Sequence, residues 1–225
     1  MLAGLPLAAS AQQAPSIPEP MVFDMVRPLG ARQGELEVNA LAEQSLSGPH
    51  RKVEWAPEIE YAVADGFAVE LELPFEGARV TDYKLGLQGT FGTFDRGRAV
   101  HGVQYLGLYN RASARWENTL VYLLGYRFDA RWSMIAMAGI GDVTFGGTGR
   151  SKLILNQSSF YDLSHSTTLG LEVNHSRGGE DRTLLMPQVH QALKEGLNIQ
   201  VGIGALRQTN EPWRPRAAIR LIKEL

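Results

Sequence analysis

The chain has 225 residues, no Cys and a formal net charge of -2. No stretch of about 18 apolar residues occurs, which excludes a helical membrane span. Missing Cys excludes disulfide frameworks and thiol nucleophiles, and the near-neutral charge argues against nucleic acid as a partner. Gly is abundant, at 24 residues, and Gly disfavours helices, so the composition leans towards β structure.

Met1 to Leu7 is short and apolar, and Ala9-Ser10-Ala11 then offers a small-residue cleavage pattern before Gln12-Gln13. Residues 1–11 read as the end of a secretory signal peptide whose beginning is cut short. Such a leader implies export in a Gram-negative type of cell. Residues 12–33 carry Pro18, Pro20 and Pro28, which forbid a long helix. A short amphipathic piece fits Met21 to Val26. This segment is expected either to plug whatever follows or to lie in the periplasm.

From Gly34 to Leu225 the hydrophobic period is two. After a first strand at Gly34 to Ala42, Val53, Trp55, Pro57, Ile59, Tyr61 and Val63 share one face, and Lys52, Glu54, Glu58 and Glu60 share the other. Phe67, Val69, Leu71, Leu73 and Phe75 likewise oppose Glu70 and Glu72. Strands have this alternation and helices do not. Ala64-Asp65-Gly66 is a three-residue hairpin loop with Gly at the left-handed position. Pairing Val63 with Phe67 puts Glu60 opposite Glu70 and Glu58 opposite Glu72.

The pattern continues. Tyr83 to Thr93 and Val100 to Tyr109 flank a turn at Asp95 to Arg98, with the apolar face of the second strand left open. Arg115 to Phe128 alternates Trp116, Leu120, Tyr122, Leu124 and Tyr126 against Glu117, Thr119 and Arg127, and Trp132 to Ile140 returns. Lys152 to Tyr161, Thr167 to His175, Thr183 to Leu193, Leu197 to Ala205 and Arg214 to Leu225 complete about twelve strands, each near the roughly 9–11 residues that cross a bilayer at a tilt. Tight connections alternate with longer ones such as Thr144 to Ser151 and Gln208 to Trp213, and aromatics gather near strand ends. The reading is an all-β, transmembrane antiparallel β-barrel in the outer membrane, with short periplasmic turns and both termini on the periplasmic side. A soluble sandwich or lipocalin-like barrel, with its apolar face inside, is the competing fold. The repeated acidic face and the long, helix-free strands count against it.

In the barrel the polar faces look inward. Glu35, Glu37, Glu54, Glu58, Glu60, Glu70 and Glu72 then form an acidic wall. Carboxylates opposed across strands repel unless compensated. Lys84 and Arg127 are the nearest basic candidates by parity. Arg214, Arg216 and Arg220 share the inward parity of the last strand, so Glu35 and Glu37 are expected to face Arg216 and Arg220 across the closing seam. The network is either a salt-bridged filling, in which case the lumen conducts poorly, or a cation-attracting constriction. The first is preferred because the bases nearly balance the acids.

No enzyme is expected. His175 and Ser176 invite comparison with outer-membrane phospholipases, but neighbours on a strand point to opposite faces. Asp142, Glu180 and Asp181 match no cation-loop spacing. His50, His101, His165, His175 and His190 show no ligand spacing, and no nucleotide-binding loop or nucleophile elbow is present. No metal and no cofactor are implied.

Trp55-Ala56-Pro57-Glu58-Ile59-Glu60-Tyr61, followed by Ala64-Asp65-Gly66 and Glu70-Leu71-Glu72-Leu73-Pro74, resembles an outer-membrane barrel family named for the meta-cleavage pathway of phenol degradation. Thr168 to Asn174 and Leu185 to Val189 are similar to its C-terminal half. The resemblance implies a transporter or channel. Three functions follow in order: a channel-like barrel passing a small solute, a structural barrel that houses or docks another envelope protein, and a membrane-embedded hydrolase. The partners expected are outer-membrane lipid, a small solute and an envelope protein.

Overall fold

The structure is a computed structural model that describes residues 14–49, 51–143, 151–178 and 181–225. The segment 1–11 read as a leader, His50 and Glu180 therefore lie outside the described residues. Within them the chain is an antiparallel β-sheet closed on itself. In chain order the strands are β1 (Leu36–Ser45), β2 (Glu54–Ala64), β3 (Phe67–Glu72), β4 (Phe75–Glu76), β5 (Arg79–Val80), β6 (Asp82–Phe94), β7 (Ala99–Asn110), β8 (Arg115–Arg127), β9 (Trp132–Val143), β10 (Lys152–Asp162), β11 (Thr167–Arg177), β12 (Arg182–Lys194), β13 (Leu197–Gln208) and β14 (Arg214–Glu224). β4 and β5 are a two-residue ribbon hung from the end of β2. The other 12 form the barrel wall.

Each wall strand pairs with its neighbour in sequence, and β1 pairs with both β2 and β14. Closure removes the exposed edges of an open sheet. It holds to the last residue, where Leu225 N–H donates to the Leu36 carbonyl at 2.9 Å. The turns at 65–66, 95–98, 128–131, 163–166 and 195–196 lie at one end together with both ends of the wall. By the rule that short turns are periplasmic, that end is the periplasmic mouth.

Side chains alternate as the period of two demands. Val38, Ile59, Leu71, Leu85, Tyr122, Leu155, Val201 and Ile219 point outward, and Leu71 is 60% exposed. Rings cluster at the ends of this apolar belt: Trp132 against Tyr161 and Tyr126 against Phe128 below, Trp55 against Phe75 and Tyr109 against Trp116 above. Glu58, Glu60, Glu70 and Glu72 are buried on the inward face. The open question on β7 resolves to Val100, Gly102 and Gln104 inward.

Leu71→Arg should therefore abolish assembly into lipid, because Arg at the membrane midplane costs about 2–4 kcal/mol. Glu72→Gln should leave assembly intact. The check is the heat-dependent gel shift of a folded barrel, and equal behaviour of the two variants would reverse the assignment of faces.

Three local expectations need correction. The hairpin register is right at Glu60–Glu70 and Glu58–Glu72, but Phe67 pairs with Ala64, because Val63 bulges out of the ladder at the turn. The first strand runs Leu36–Ser45, two residues later in the chain than Gly34 would start it. The inward face is not wholly polar. Val121, Leu123, Ile135, Met137 and Phe160 face inward from β8 to β10 and are buried, and Leu184 and Met186 do the same on β12. They are covered by the chain's own N-terminal segment.

Candidate functional site

Residues 14–34 are a re-entrant loop inside the barrel, with no regular secondary structure. Its four prolines, Pro15, Pro18, Pro20 and Pro28, keep it extended, and the short amphipathic piece expected at Met21 to Val26 does not form a helix. The loop rises from the periplasmic mouth, turns over near Pro20 to Asp24, and returns to join β1. On the way back Gly30 N–H donates to Thr90 Oγ1 at 2.9 Å, and the Ala31 carbonyl accepts from Gly66 N–H at 2.7 Å.

Its backbone groups, which a loop cannot pair internally, are met by wall side chains. The Glu172 carboxylate accepts from the N–H groups of Met21, Val22 and Phe23 at 3.0, 3.0 and 2.5 Å. The Gln104 amide donates to the Asp24 carbonyl and accepts from Val26 N–H, at 2.7 and 3.1 Å. Gln88 donates to the Arg27 carbonyl, Arg127 to that of Ser16, and Arg220 to that of Pro20. These contacts come from β6, β7, β8, β11 and β14, so the loop is held from all round the lumen.

Apolar fit matches the polar clips. Met25 and Leu29 pack on the inward cluster of β7 to β10, and Met21 packs on Leu184, Met186 and Leu206. Four inward glycines make room. A Cβ at Gly86 would meet Val26 at 2.6 Å, at Gly125 Ile17 at 2.6 Å, and at Gly202 Met21 at 2.5 Å, while at Gly102 it would meet the neighbouring strand's Gly89 carbonyl first and Leu29 at 2.8 Å. Each is a socket that a methyl group would fill.

The acidic wall is answered from the loop as well as from the barrel. Arg220, 2% exposed, reaches Glu58 at 2.9 Å, Glu60 at 3.3 Å, Asn39 at 3.0 Å and Glu19 at 3.5 Å. Arg27 binds Glu37 at 2.7 Å and Glu35 at 3.2 Å. Lys84 lies 3.1 Å from Glu70 and also bonds Glu72 and Asp24. Arg216 bonds Glu43 at 2.8 Å and also Glu54. Burial, with Glu37 beside it, holds the Glu19 carboxyl up at about 8, against the pull of Arg220 and Arg27.

Several pairings differ from those expected. Glu35 and Glu37 meet Arg27, not Arg216 and Arg220, because the seam register sets Arg220 opposite Leu41 and Arg216 opposite Ser45. Arg127 does not reach the acidic wall. It pairs with Asp162 on β10 at 3.1 Å. Arg214 turns to Glu211 of the adjoining loop, at 2.9 Å. Glu19, Asp24, Arg27, Gln88, Gln104 and Glu172 were not singled out for the lumen. A signal existed for Glu172: it is an acid between the outward-facing Leu171 and Val173.

Asp24, Glu58, Glu70 and Glu72 bring one carboxylate oxygen each to within 4.8 Å of one another, a donor set of metal-ligand type. The Lys84 ammonium bonds three of the four and the Arg220 guanidinium the fourth, so the chain's own cations occupy the positions beside these carboxylates. His175 and Ser176 face opposite ways. His175 Nδ1 lies 2.9 Å from Thr183 Oγ1, and Ser176 lines the inside, so they make no base–nucleophile pair.

On the outer side of the loop tip lies a cavity of about 430 Å³, floored by Met21, Val22 and Asp24 and walled by Glu43, Glu54, Glu58, Glu72 and Asp82, with Lys84 and Arg220 among them. Another of about 310 Å³ adjoins Val22 and Phe23. At the periplasmic mouth, residues 14–17 and 27–32 line one of about 420 Å³.

Known structures share this architecture. The COG4313 outer membrane channel from Pseudomonas putida F1 is 14% identical, and the match covers 90% of this chain and 100% of that one at a TM-score of 0.70. The KdgM porin and the NanC porin are each 9% identical over 84% of this chain, covering 99% and 100% of theirs, at a TM-score of 0.67. The fold is that of an outer-membrane porin-like barrel. At such identities the likeness is one of fold. With the apolar outer belt, it sets the barrel in an outer membrane. A family model described as HAEPLYID-like matches residues 16–107, which span the re-entrant loop and the acidic wall. No curated protein matches the sequence.

Proposed function

We propose that the chain is an outer-membrane channel for a small solute, held shut at rest by residues 14–34. The supporting observation is the seat: a loop clipped by side chains of five strands and fitted into four glycine sockets fills the middle of a porin-like barrel. The charge network at Glu35, Glu37, Glu54, Glu58, Glu60, Glu70, Glu72, Lys84, Arg216 and Arg220 then serves to hold the filling in place. It is not a selectivity filter in this state. The outer cavity admits a solute as far as the loop tip. One structure of the KdgM porin contains disordered oligogalacturonate, which is a polyanion. Carboxylates outnumber Lys84 and Arg220 in the cavity wall, and this excess disfavours such a ligand here.

Kinship with the barrel family of the phenol meta-cleavage pathway is part of the same proposal. Its motif residues have structural duties in this chain. Asp65 accepts from Gln33 N–H at 2.9 Å, Gly66 takes a φ of 72°, and the Pro74 carbonyl accepts from Thr81 N–H. The motif therefore supports a shared frame more than a shared solute.

The test is single-channel recording in planar bilayers. Wild type is expected to be mostly closed, with brief openings. Gly125→Val and Gly202→Leu, which displace Ile17 and Met21, should open far more often. A large steady current through wild type would defeat the proposed closure. Silence from all three proteins, each shown to be inserted, would favour a barrel that docks an envelope partner.

A further inference from the structure

The apolar belt has one polar interruption at mid-height. The outward side chains of β10 are Leu153, Leu155, Gln157, Ser159 and Tyr161, and Gln157 is the central residue of the strand. The other outward amides, imidazoles and hydroxyls among the described wall strands, such as His101, Asn118 and Gln191, stand within four residues of a strand end, or belong to tyrosine rings. Gln157 stands about 13 Å along the strand from Tyr161, at roughly 3.3 Å per residue, and so well inside the hydrocarbon.

Its surroundings are shaped as well as placed. Ala136 of β9 and Val173 of β11 flank it in register. Ala136 and Ala138 floor a groove of about 490 Å³ on the outer surface, with Tyr122, Leu155 and Val173 as its sides. Within the chain Gln157 Nε2 makes one bond, to Ser159 Oγ at 3.3 Å. The amide oxygen accepts from no donor among the described residues. Lipid tails supply no donor, and an unpaired amide in hydrocarbon is costly.

We propose that this groove is the docking face for a second copy of the same chain, with a two-fold axis along the membrane normal passing between the two Gln157 side chains. A primary amide carries a donor and an acceptor side by side, so its complement is its own symmetric image. Each Nε2 then donates to the other Oε1. Small residues let the two walls come close, as they do between membrane helices, and each Leu155–Val173 ridge lies over the partner's Ala136–Ala138 floor. The contact is isologous, the commonest kind in homo-oligomers. It is independent of whether the lumen conducts.

The chain lacks Cys, so a single introduced thiol reports one position. Gln157→Cys, with the full chain in lipid nanodiscs under mild oxidation, should become a disulfide-linked dimer. Ile59→Cys, on β2 at the far side of the barrel, should not. Gln157→Leu should keep the heat-dependent gel shift of a folded barrel yet weaken dimerisation about ten-fold, as loss of a bonded polar pair in lipid predicts. Wild type found monomeric by mass in nanodiscs, with or without retained lipid, overturns the proposal. Equal cross-linking at 157 and 59, or unchanged dimerisation of Gln157→Leu, does the same.

Discussion

Replacing Glu172 by Leu should release residues 14–34 from the lumen. One carboxylate accepts the N–H groups of three successive residues at the loop tip. Removing it leaves three donors without partners in a buried place, at about 1–3 kcal/mol each. The loop escapes that cost by leaving, since water at the periplasmic mouth satisfies the same groups. The wall keeps its ladder with β10 and β12, so the barrel itself should still fold. Added protease should cut within residues 14–34 of the Glu172→Leu barrel and spare wild type, and channel openings should increase in parallel. Glu172→Gln retains one acceptor oxygen and should fall between. A Glu172→Leu protein whose loop stays protected would mean that the apolar sockets alone hold it.

The second large effect is expected at Arg220. Its guanidinium joins Glu58 and Glu60 of β2, Asn39 of β1, and Glu19 and the Pro20 carbonyl of the loop. Breaking a buried ion pair on one side costs about 3–5 kcal/mol, because the remaining charge is stranded. Arg220→Met strands carboxylates on two elements and should abolish the folded gel band near neutral pH. The sign of the pH dependence follows from linkage. A folded state that must protonate buried carboxylates binds more protons than the unfolded chain does, so its stability rises as pH falls. Refolding of Arg220→Met should therefore recover at about pH 5. Arg220→Lys keeps the charge but not the planar fork, and should refold at both values with lower yield. Failure of the Met variant at both pH values would point to lost packing as the cause, not lost charge.

The wall was legible because its evidence is local. Trp55 to Val63 and Phe67 to Phe75 put a large apolar or proline side chain at every second position, and the Gly66 turn fixes how they pair, so the facing of Glu58 and Glu72 could be read from spacing alone. The seam was not legible. Pairing of β1 with β14 joins residues at opposite ends of the chain, no turn sets their register, and a shift of a few residues moved Arg220 from Glu37 to Glu58 and Glu60. Stretches such as Leu120-Val121-Tyr122-Leu123-Leu124 are apolar on both faces. Such a run signals a strand buried on both sides, and here the second burying surface is the loop. The loop itself has no period to read. Its fit depends on glycines scattered over β6, β7, β8 and β13, whose purpose appears only when Val26, Leu29, Ile17 and Met21 are set against them.

Those sockets tie the inheritance of two distant parts of the chain together. A side chain acquired at Gly202 or Gly86 needs a smaller residue at 21 or 26, and one acquired at Gly125 needs a smaller residue at 17. Chimeras that graft this barrel onto another protein's N-terminal segment should fail to close unless the sockets are recut to match. Grafts that move residues 14–34 together with the four glycines and the clipping side chains Gln88, Gln104, Arg127, Glu172 and Arg220 should keep the closed state in a foreign barrel.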